Sequence, residues 1–295
     1  MTFFPSSELI LNSNGSIYHL GLKPGEIADT IITVGDPNRV DMLTKHFDNI
    51  ELKRSVREFV THTGTYKGKR LTVISTGIGT DNIDIVFNEL DALANIDFES
   101  RTEKEKHSSL NFIRIGTSGA LQEYLDVDTV LASAYGIDLG PLQHFYADID
   151  QDDAEKKINE QIQSLLNDAG INGVPTSVSK GSQTLIAALA ETYHKGITLT
   201  APGFYGPQGR SLRAKSKLQD AFFNAAANTA FGSLQLTNFE METAGIYSIA
   251  NMLGHEAISI NLLLANRQLK KFSNRAQEGM ENLVVEVLEN IVNKL

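Results

Sequence analysis

Short runs of β-branched and aliphatic residues recur along the chain, separated by stretches of helical periodicity. Near-continuous apolar runs of this kind are typical of strands that are covered on both faces of a sheet. Because strands that alternate with helices indicate an α/β domain, the pattern predicts that fold class. The predicted strands are Thr30–Val34, Leu71–Ser75, Phe112–Ile115, Thr129–Ala132, Ile197–Thr200 and Ala257–Leu264.

Helix starts are also marked in the sequence. Asp36-Pro37 predicts one, because an acidic residue caps a helix and proline fits its first turn. Asp81 or Asn82 predicts a second, and Ala154–Ala169 a third. The clearest amphipathic stripe lies in the last helix, at Met280, Leu283, Val284, Val287, Leu288, Ile291 and Val292.

The 295 residues contain no repeat and no Pro- or Ser-rich linker, which favours one domain over 1–295. Residues 1–16 form an N-terminal extension of this domain. The charged stretch 97–109 is interpreted as an inserted, solvated loop. We see no targeting signal and no apolar run near the roughly 20 residues of a membrane helix, so we expect a cytoplasmic protein.

Charge and cysteine content exclude several functions. Lys and Arg number 26 and Asp and Glu number 36, a formal net charge of −10. This balance argues against nucleic acid or an anionic membrane as the partner. The chain has no cysteine, which excludes disulfides, thiolate nucleophiles and Cys-ligated metals. The seven histidines show no metal-binding spacing, and we expect no cofactor.

Two segments that combine arginine with glycine could bind an anion. In Gly35-Asp36-Pro37-Asn38-Arg39, a helix start and the guanidinium of Arg39 suit a phosphate, although a plain turn with an exposed arginine fits the pattern too. In Arg114-Ile115-Gly116-Thr117-Ser118-Gly119-Ala120, an arginine stands inside an apolar strand and needs an anionic partner. That partner is either a ligand, approached closely at Gly116 and Gly119, or a carboxylate of the chain.

Two further segments carry groups that suit a nucleoside. Gly203–Arg210 combines Phe204, Gln208 and Arg210, which could stack on a heterocycle and bind an imide edge; the alternative is an ordinary loop. Asn238–Ala244 is interpreted as the start of a helix that runs to about Leu253. Glu240 and Glu242 would point apart on it, so one of them would face a pocket and accept the vicinal hydroxyls of a ribose, or both would only stabilise the helix dipole.

Taken in order, these segments resemble the nucleoside phosphorylase family that includes the uridine phosphorylases. The resemblance covers about residues 17–290 and rests on YHLGL, GDPNRV, REF, STGIG, RIGTSGA, FYGPQGR, NFEMETA and LLLANRQ. It implies a single α/β domain whose central mixed sheet closes toward a distorted barrel flanked by helices. It also implies a homo-oligomer, a dimer or a hexamer built from dimers, with active sites shared between subunits.

The resemblance assigns roles to residues of this chain. It implies catalytic roles for Arg39, Arg114, Arg210 and Glu242. The implied phosphate site is Gly35, Arg39, Arg57, Arg114 and Thr117, with Arg57 donated by the partner subunit. The implied ribose site is His19, also from the partner, with Met241 and Glu242, and the implied base site is Phe204, Gln208, Arg210 and Arg267. Glu58, Ile78 and Asn82 partly match a monovalent cation site, for potassium, at the dimer interface.

The implied reaction is phosphorolysis: phosphate attacks the anomeric carbon and releases the base through an oxocarbenium-like transition state. No Asp occurs in Leu262–Leu269, where purine-specific relatives usually carry a general acid, so uridine is favoured. The alternatives are a purine nucleoside phosphorylase of the same fold, a nucleosidase that uses water, and a non-catalytic nucleoside-binding protein. Phosphate is a co-substrate, so no organic cofactor is expected.

Overall fold

The computed structural model describes residues 2–147 and 150–295. Its strands are β1 Thr30–Val34, β2 Asn49–Val56, β3 Phe59–Tyr66, β4 Lys69–Ser75, β5 Ile96–Asp97, β6 Thr102–Glu103, β7 Asn111–Ala120, β8 Val130–Asp138, β9 Ser177–Lys180, β10 His194–Thr200, β11 Ala230–Phe231, β12 Leu234–Glu240, β13 Glu256–Asn266 and β14 Lys271–Phe272. Its helices are α1 Asn38–Thr44, α2 Thr80–Asn95, α3 Asp153–Asp168, α4 Gln183–Leu189, α5 Asp220–Asn228, α6 Thr243–Met252 and α7 Ala276–Lys294, with 3₁₀ turns at Leu142–Phe145 and Gly206–Gln208.

One large mixed sheet organises the domain. Its strands run in the order β11-β12-β10-β8-β13-β7-β1-β4-β3-β2, and β12 also pairs with β7. That extra pairing is antiparallel, at Asn238 opposite Ala120 and Phe239 opposite Gly119, and closes β7, β13, β8, β10 and β12 into a five-stranded barrel. The prediction of a mixed sheet that closes toward a barrel is confirmed.

Helices cover the sheet on several sides. The apolar stripe of α7 packs on β13, where Leu283 and Val287 join Ile260 in one buried cluster. On another side α2 and α6 enclose Phe87 and Phe112, whose ring centroids are 4.2 Å apart. Truncation of a buried side chain of this size to alanine typically costs about 3–5 kcal/mol. Within the described part of the chain, no helix combines the length and apolar character needed to cross a membrane.

Several elements differ from the sequence predictions. The β2–β3 hairpin was not predicted, because β2 alternates exposed and half-buried residues and has no apolar run. The helix predicted from Asn238 was wrong at its start: Leu234–Glu240 is the barrel strand β12, and α6 begins at Thr243. Helix α2 begins at Thr80 rather than at Asp81 or Asn82.

The charged segment 97–109 is solvated only in part. Residues 96–103 form the small β5–β6 hairpin, and Arg101 at its turn points back to the N-terminal extension. Its Nε donates to the carbonyl oxygen of Phe4 at 2.8 Å, and its Nη2 donates to those of Pro5, at 3.2 Å, and Leu9. Arg101 therefore ties residues 4–9 to the segment 97–109.

Candidate active site

A cleft of about 780 Å³ is lined by residues that follow β1 and β4, by the second half of β7 and by the end of β12. Twelve of the fifteen residues singled out in the sequence line it. They are Gly35, Arg39, Glu58, Ile78, Asn82, Arg114, Thr117, Phe204, Gln208, Arg210, Met241 and Glu242. His19, Arg57 and Arg267 lie outside this lining. Segments far apart in the sequence thus converge on one cavity.

Arg114 lies at the centre of a buried ion cluster at one end of the cleft. Its Nη2 is 2.6 Å from Oε2 of Glu242 and 3.0 Å from Oε2 of Glu240, and its Nη1 donates to Asn261 Oδ1 at 2.7 Å. Burial alone would lower the pKa of Arg114, but the two carboxylates raise it above the ordinary value, so the guanidinium stays charged. The carboxylate partners that the sequence left open are therefore present.

Gly116 makes room for this guanidinium. A Cβ atom at this position would lie 2.0 Å from Nη1 of Arg114, so any side chain would displace the arginine. At Gly119, a Cβ atom would meet the ring of Phe239 at 3.2 Å. Both glycines line the cleft, as expected for a close approach of ligand, but Gly116 is also needed for packing inside the protein.

The two glutamates both face the cleft, and the prediction that they point apart was wrong. They lie at the end of a strand and in the turn that follows it, where residues two apart share a face. Glu240 accepts hydrogen bonds from Thr200 Oγ1 at 2.7 Å and from the main-chain N–H groups of Glu242 and Thr243, both at 2.9 Å. Glu242 accepts one from the N–H of Gly79 at 2.9 Å. Glu240 thus accepts three hydrogen bonds from groups of the chain, whereas Glu242, in the turn before α6, accepts one from the main chain.

Arg39 is the second cation of the cleft, in the first turn of α1. Burial and the neighbouring charge of Arg114 lower its pKa, whereas Asp36 and Glu242 oppose that effect. Among the described residues, no carboxylate lies within 4 Å of its guanidinium nitrogens. Asp36 instead accepts a hydrogen bond from the N–H of Asn38 at 2.9 Å. A partly buried arginine without a counter-ion, next to a second arginine, favours an anionic ligand.

An aromatic and polar loop with Phe204, Gln208 and Arg210 also lines the cleft. The guanidinium carbon of Arg210 lies 3.8 Å from the ring centroid of Phe204, and Nη1 donates to the Phe204 carbonyl at 2.7 Å and to Gln208 Oε1 at 2.5 Å. Burial lowers the pKa of Arg210, and the charge of Arg267 adds to the effect. Arg267 lies behind the loop, donates to the carbonyl of Gln208, and stacks 4.1 Å from the Phe223 ring.

The remaining two predicted residues lie together outside the cleft. Arg57 occupies the turn between β2 and β3 with φ of 55°, and its guanidinium carbon is 5.6 Å from the Tyr18 ring centroid. The adjacent ring of His19 is 4.7 Å from that of Tyr18, and His19 Nδ1 is 2.6 Å from Glu89 Oε1. Arg57 is exposed and His19 is half-buried, and neither side chain lines the cleft.

Comparison with known proteins agrees with this architecture. Residues 29–290 match the sequence model of the phosphorylase superfamily, which is most of the chain. The chain belongs to this family. It is 27% identical over 279 residues to a uridine phosphorylase of Thermococcus kodakarensis, covering 93% of this chain and 86% of the relative. It is also 30% identical over 250 residues to a DeoD-type purine nucleoside phosphorylase of Clostridium perfringens, covering 82% and 83%.

A solved structure is similar over nearly the whole fold of this nucleoside phosphorylase. A Trypanosoma brucei nucleoside phosphorylase, described as showing uridine phosphorylase activity, superposes with a TM-score of 0.85 at 28% identity. The match covers 97% of this chain and 99% of that chain. The chain is thus a pentosyltransferase of the nucleoside phosphorylase family, whose substrates are a nucleoside and phosphate.

Sequence reasoning missed two residues of the site in this nucleoside phosphorylase. Glu240 was considered only as an alternative to Glu242, and Asn261 was not considered at all, although both contact Arg114. The signal for Asn261 is a lone amide within the apolar run AISINLLLA of β13. An amide is costly to bury without a hydrogen-bond partner, so its position pointed to a polar group opposite.

A cluster outside the cleft groups Asp91, His107 and His255, whose ligand-type atoms lie within 4.8 Å of one another. His255 Nδ1 accepts a hydrogen bond from the main-chain N–H of Leu110 at 3.1 Å, so the proton of the neutral ring is on Nε2. Nε2 then donates to Asp91 Oδ1 at 3.1 Å. Both ring nitrogens are used, which fits a structural link between α2 and β13 rather than a metal site.

Proposed function

We propose that this nucleoside phosphorylase cleaves uridine with phosphate, giving uracil and ribose 1-phosphate. One observation carries the proposal: a single cleft is lined by Arg39 and Arg114, by Met241 and Glu242, and by Phe204, Gln208 and Arg210. An inorganic dianion, a ribose and a pyrimidine would bind there in that order. The cytoplasm is the proposed compartment.

Arg39 and Arg114 would bind and orient the phosphate. Arg39 has no carboxylate partner among the described residues, and Arg114 keeps its charge inside the protein. Gly35 and Thr117, which line the same cleft, would add a main-chain donor and a hydroxyl. Holding the nucleophile against the anomeric carbon is the main catalytic demand, and its negative charge would stabilise the positive charge that develops on the sugar.

Glu242 would hold the ribose. Its Oε1 accepts from Gly79 and its Oε2 from Arg114, and each carboxylate oxygen can accept a further hydrogen bond. Vicinal ribose hydroxyls could therefore donate to Glu242 without breaking either contact. Met241, beside it in the cleft lining, would pack on the sugar.

The loop with Phe204, Gln208 and Arg210 would receive the leaving base. A departing uracil carries negative charge across its O2–N3–O4 edge, which the guanidinium of Arg210 would neutralise. Gln208 Oε1 already accepts from Arg210, so the amide nitrogen of Gln208 remains a donor for a carbonyl oxygen of the base. Phe204, which is half exposed beneath Arg210, would stack on the pyrimidine. Arg267 would support this loop through the Gln208 carbonyl.

A second subunit would complete the site. Arg57 and His19 do not line the cleft of their own chain, and in a dimer they could enter the cleft of a neighbour. Glu58, next to Arg57, lines the cleft together with Ile78 and Asn82, so a potassium ion at such an interface is part of the proposal. No organic cofactor is required.

The test is a panel of nucleosides incubated with and without phosphate, with the released base measured by chromatography. We expect uracil from uridine only when phosphate is present, together with ribose 1-phosphate. Release of purine bases alone would favour the alternative of a purine nucleoside phosphorylase. The similarity to the Clostridium perfringens protein is the observation behind that alternative. Release that does not need phosphate would indicate a nucleosidase, and binding of nucleosides without release a non-catalytic protein.

A further inference from the structure

Arg114 is fixed from two sides by groups of different charge. The carboxylates of Glu240 and Glu242 both contact Nη2, whereas the partners of Nη1 among residues 2–147 and 150–295 are neutral: Asn261 Oδ1 at 2.7 Å and Ser259 Oγ at 3.3 Å. The neutral side comes from β13, which pairs in parallel with β7, and Asn261 lies opposite Gly116 in that register. Asn261 is completely buried.

The amide of Asn261 is itself held in one orientation. Its Nδ2 donates to Ser259 Oγ at 3.1 Å, and that hydroxyl is 2.8 Å from Oγ1 of Thr243, the first residue of α6. An amide with its nitrogen engaged in this way presents its oxygen to Arg114. The chain of contacts therefore links the start of α6 to the guanidinium.

We propose that Asn261 is a positioning residue for phosphate, which acts by orienting the guanidinium of Arg114. This inference rests on the proposed function and adds a residue to it. Both carboxylates contact the same nitrogen, Nη2, so they alone would leave the guanidinium group free to rotate. The hydrogen bond from Nη1 to Asn261 fixes its orientation. A neutral acceptor holds Nη1 without placing a third negative charge beside an incoming dianion, which an aspartate at this position would do.

The direct test is Asn261→Leu, which keeps the volume of the side chain and removes the acceptor. We expect the KM for phosphate to rise about 10-fold or more, because a hydrogen bond to a charged group is lost inside the protein. The KM for uridine and kcat at saturating phosphate should change less than about twofold. A merely structural role would instead lower the active fraction and leave the KM for phosphate unchanged.

Two further variants separate positioning from stability. Asn95→Leu removes another buried amide, on α2 and outside the cleft, so it should lower the melting temperature without changing the KM for phosphate. Ser259→Ala leaves Asn261 in place but frees its amide nitrogen and removes the weaker contact of Ser259 Oγ with Nη1 of Arg114, and it should give a smaller rise in the same KM, about threefold. This milder change keeps the test available if Asn261→Leu does not fold.

Binding of inorganic phosphate, measured by calorimetry without nucleoside, gives a readout that does not depend on turnover. Weaker binding by Asn261→Leu than by the wild type and Asn95→Leu supports the proposal. If the wild type is active but Asn261→Leu has an unchanged KM for phosphate and an unchanged phosphate affinity, the role of Asn261 alone is overturned. If Asn261→Leu does not fold, the same result with Ser259→Ala overturns it. A wild type that releases base from no nucleoside in the presence of phosphate contradicts the proposed function, and the inference falls with it.

Discussion

Nη2 of Arg114 and Oε2 of Glu242 lie 2.6 Å apart, so the side chain assigned to phosphate and the side chain assigned to ribose are bonded directly to each other. Both are buried, and Glu240 shares the same guanidinium nitrogen at 3.0 Å. A buried arginine with two carboxylates depends on mutual neutralisation, because each charge alone would be expensive to bury. The pair thus links the stability of the fold to the geometry of the proposed phosphate and ribose sites.

Arg114 and Arg39 should differ in what they do for stability. Arg114→Gln leaves two buried carboxylates without their cation and should lower the free energy of unfolding by about 3–5 kcal/mol. Arg39→Gln removes a partly desolvated cation that has no carboxylate partner among the described residues. It should change the free energy of unfolding by less than about 1 kcal/mol. Urea unfolding of both variants measures the difference. Equal losses would contradict the assignment of Arg114 to the ion cluster.

Arg210 should decide selection of the base. Arg210→Ala should lower kcat/KM for uridine by about 100-fold, because the departing base loses its charged donor. The ratio of kcat/KM for uridine to kcat/KM for purine nucleosides should therefore fall. The KM for phosphate should stay near the wild-type value. Arg213→Ala, which removes an exposed arginine three residues away, is the matched control. An Arg210→Ala enzyme that prefers uridine as strongly as the wild type would remove this role.

A shared active site predicts complementation between inactive variants. Arg39→Ala damages the cleft of its own subunit, whereas Arg57→Ala should damage the cleft of the neighbour. Co-expression of the two should restore about a quarter of wild-type sites, since half the dimers are mixed and each mixed dimer has one complete site. Activity of the separately purified variants is the baseline. No recovery in the mixed dimers would show that Arg57 is not donated to a partner.

Asp138 should make stability depend on pH. It is buried at the end of β8, where burial raises its pKa to about 7 and Glu240 adds to the effect, although the N–H of Gly140 opposes it. Since the folded state then holds a proton that the unfolded state has lost, stability should fall as the pH rises from about 4 to about 7.

Asp138→Asn keeps the acceptor for Gly140 and removes this titration. The variant should be more stable than the wild type at pH 8, by up to about 4 kcal/mol, and similar to it at pH 4. Urea midpoints at both pH values give the comparison. A difference between the two proteins that does not change with pH would refute the assignment.

How far the sequence predicted this molecule depended on where the information lay. The extent of β1 and the stripe of α7 followed from apolar periodicity, because their packing faces are written into consecutive residues. The start of α6 did not, since a strand ends and a helix begins within the segment that carries Glu240 and Glu242. Local propensity cannot tell which of the two states tertiary pairing will select.

The candidate site shows the same division. Its arginines and its loop were found because glycine-rich segments mark turns that could approach a ligand, and the structure brings them to one cleft. The carboxylate partners of Arg114 and the amide of Asn261 come from β12, α6 and β13. Those contacts arise only when the barrel closes, so no spacing along the chain reports them.

The hydrogen bonds of Arg101 to the carbonyl groups of Phe4, Pro5 and Leu9 join residues 1–16 to the charged segment 97–109. Without residues 1–16 the guanidinium would lose these acceptors, and without Arg101 the carbonyl groups would be left to water. Each segment should therefore keep the other in place. Since residues 1–16 lead directly into Tyr18 and His19, this contact would also steady the surface proposed to meet a second subunit.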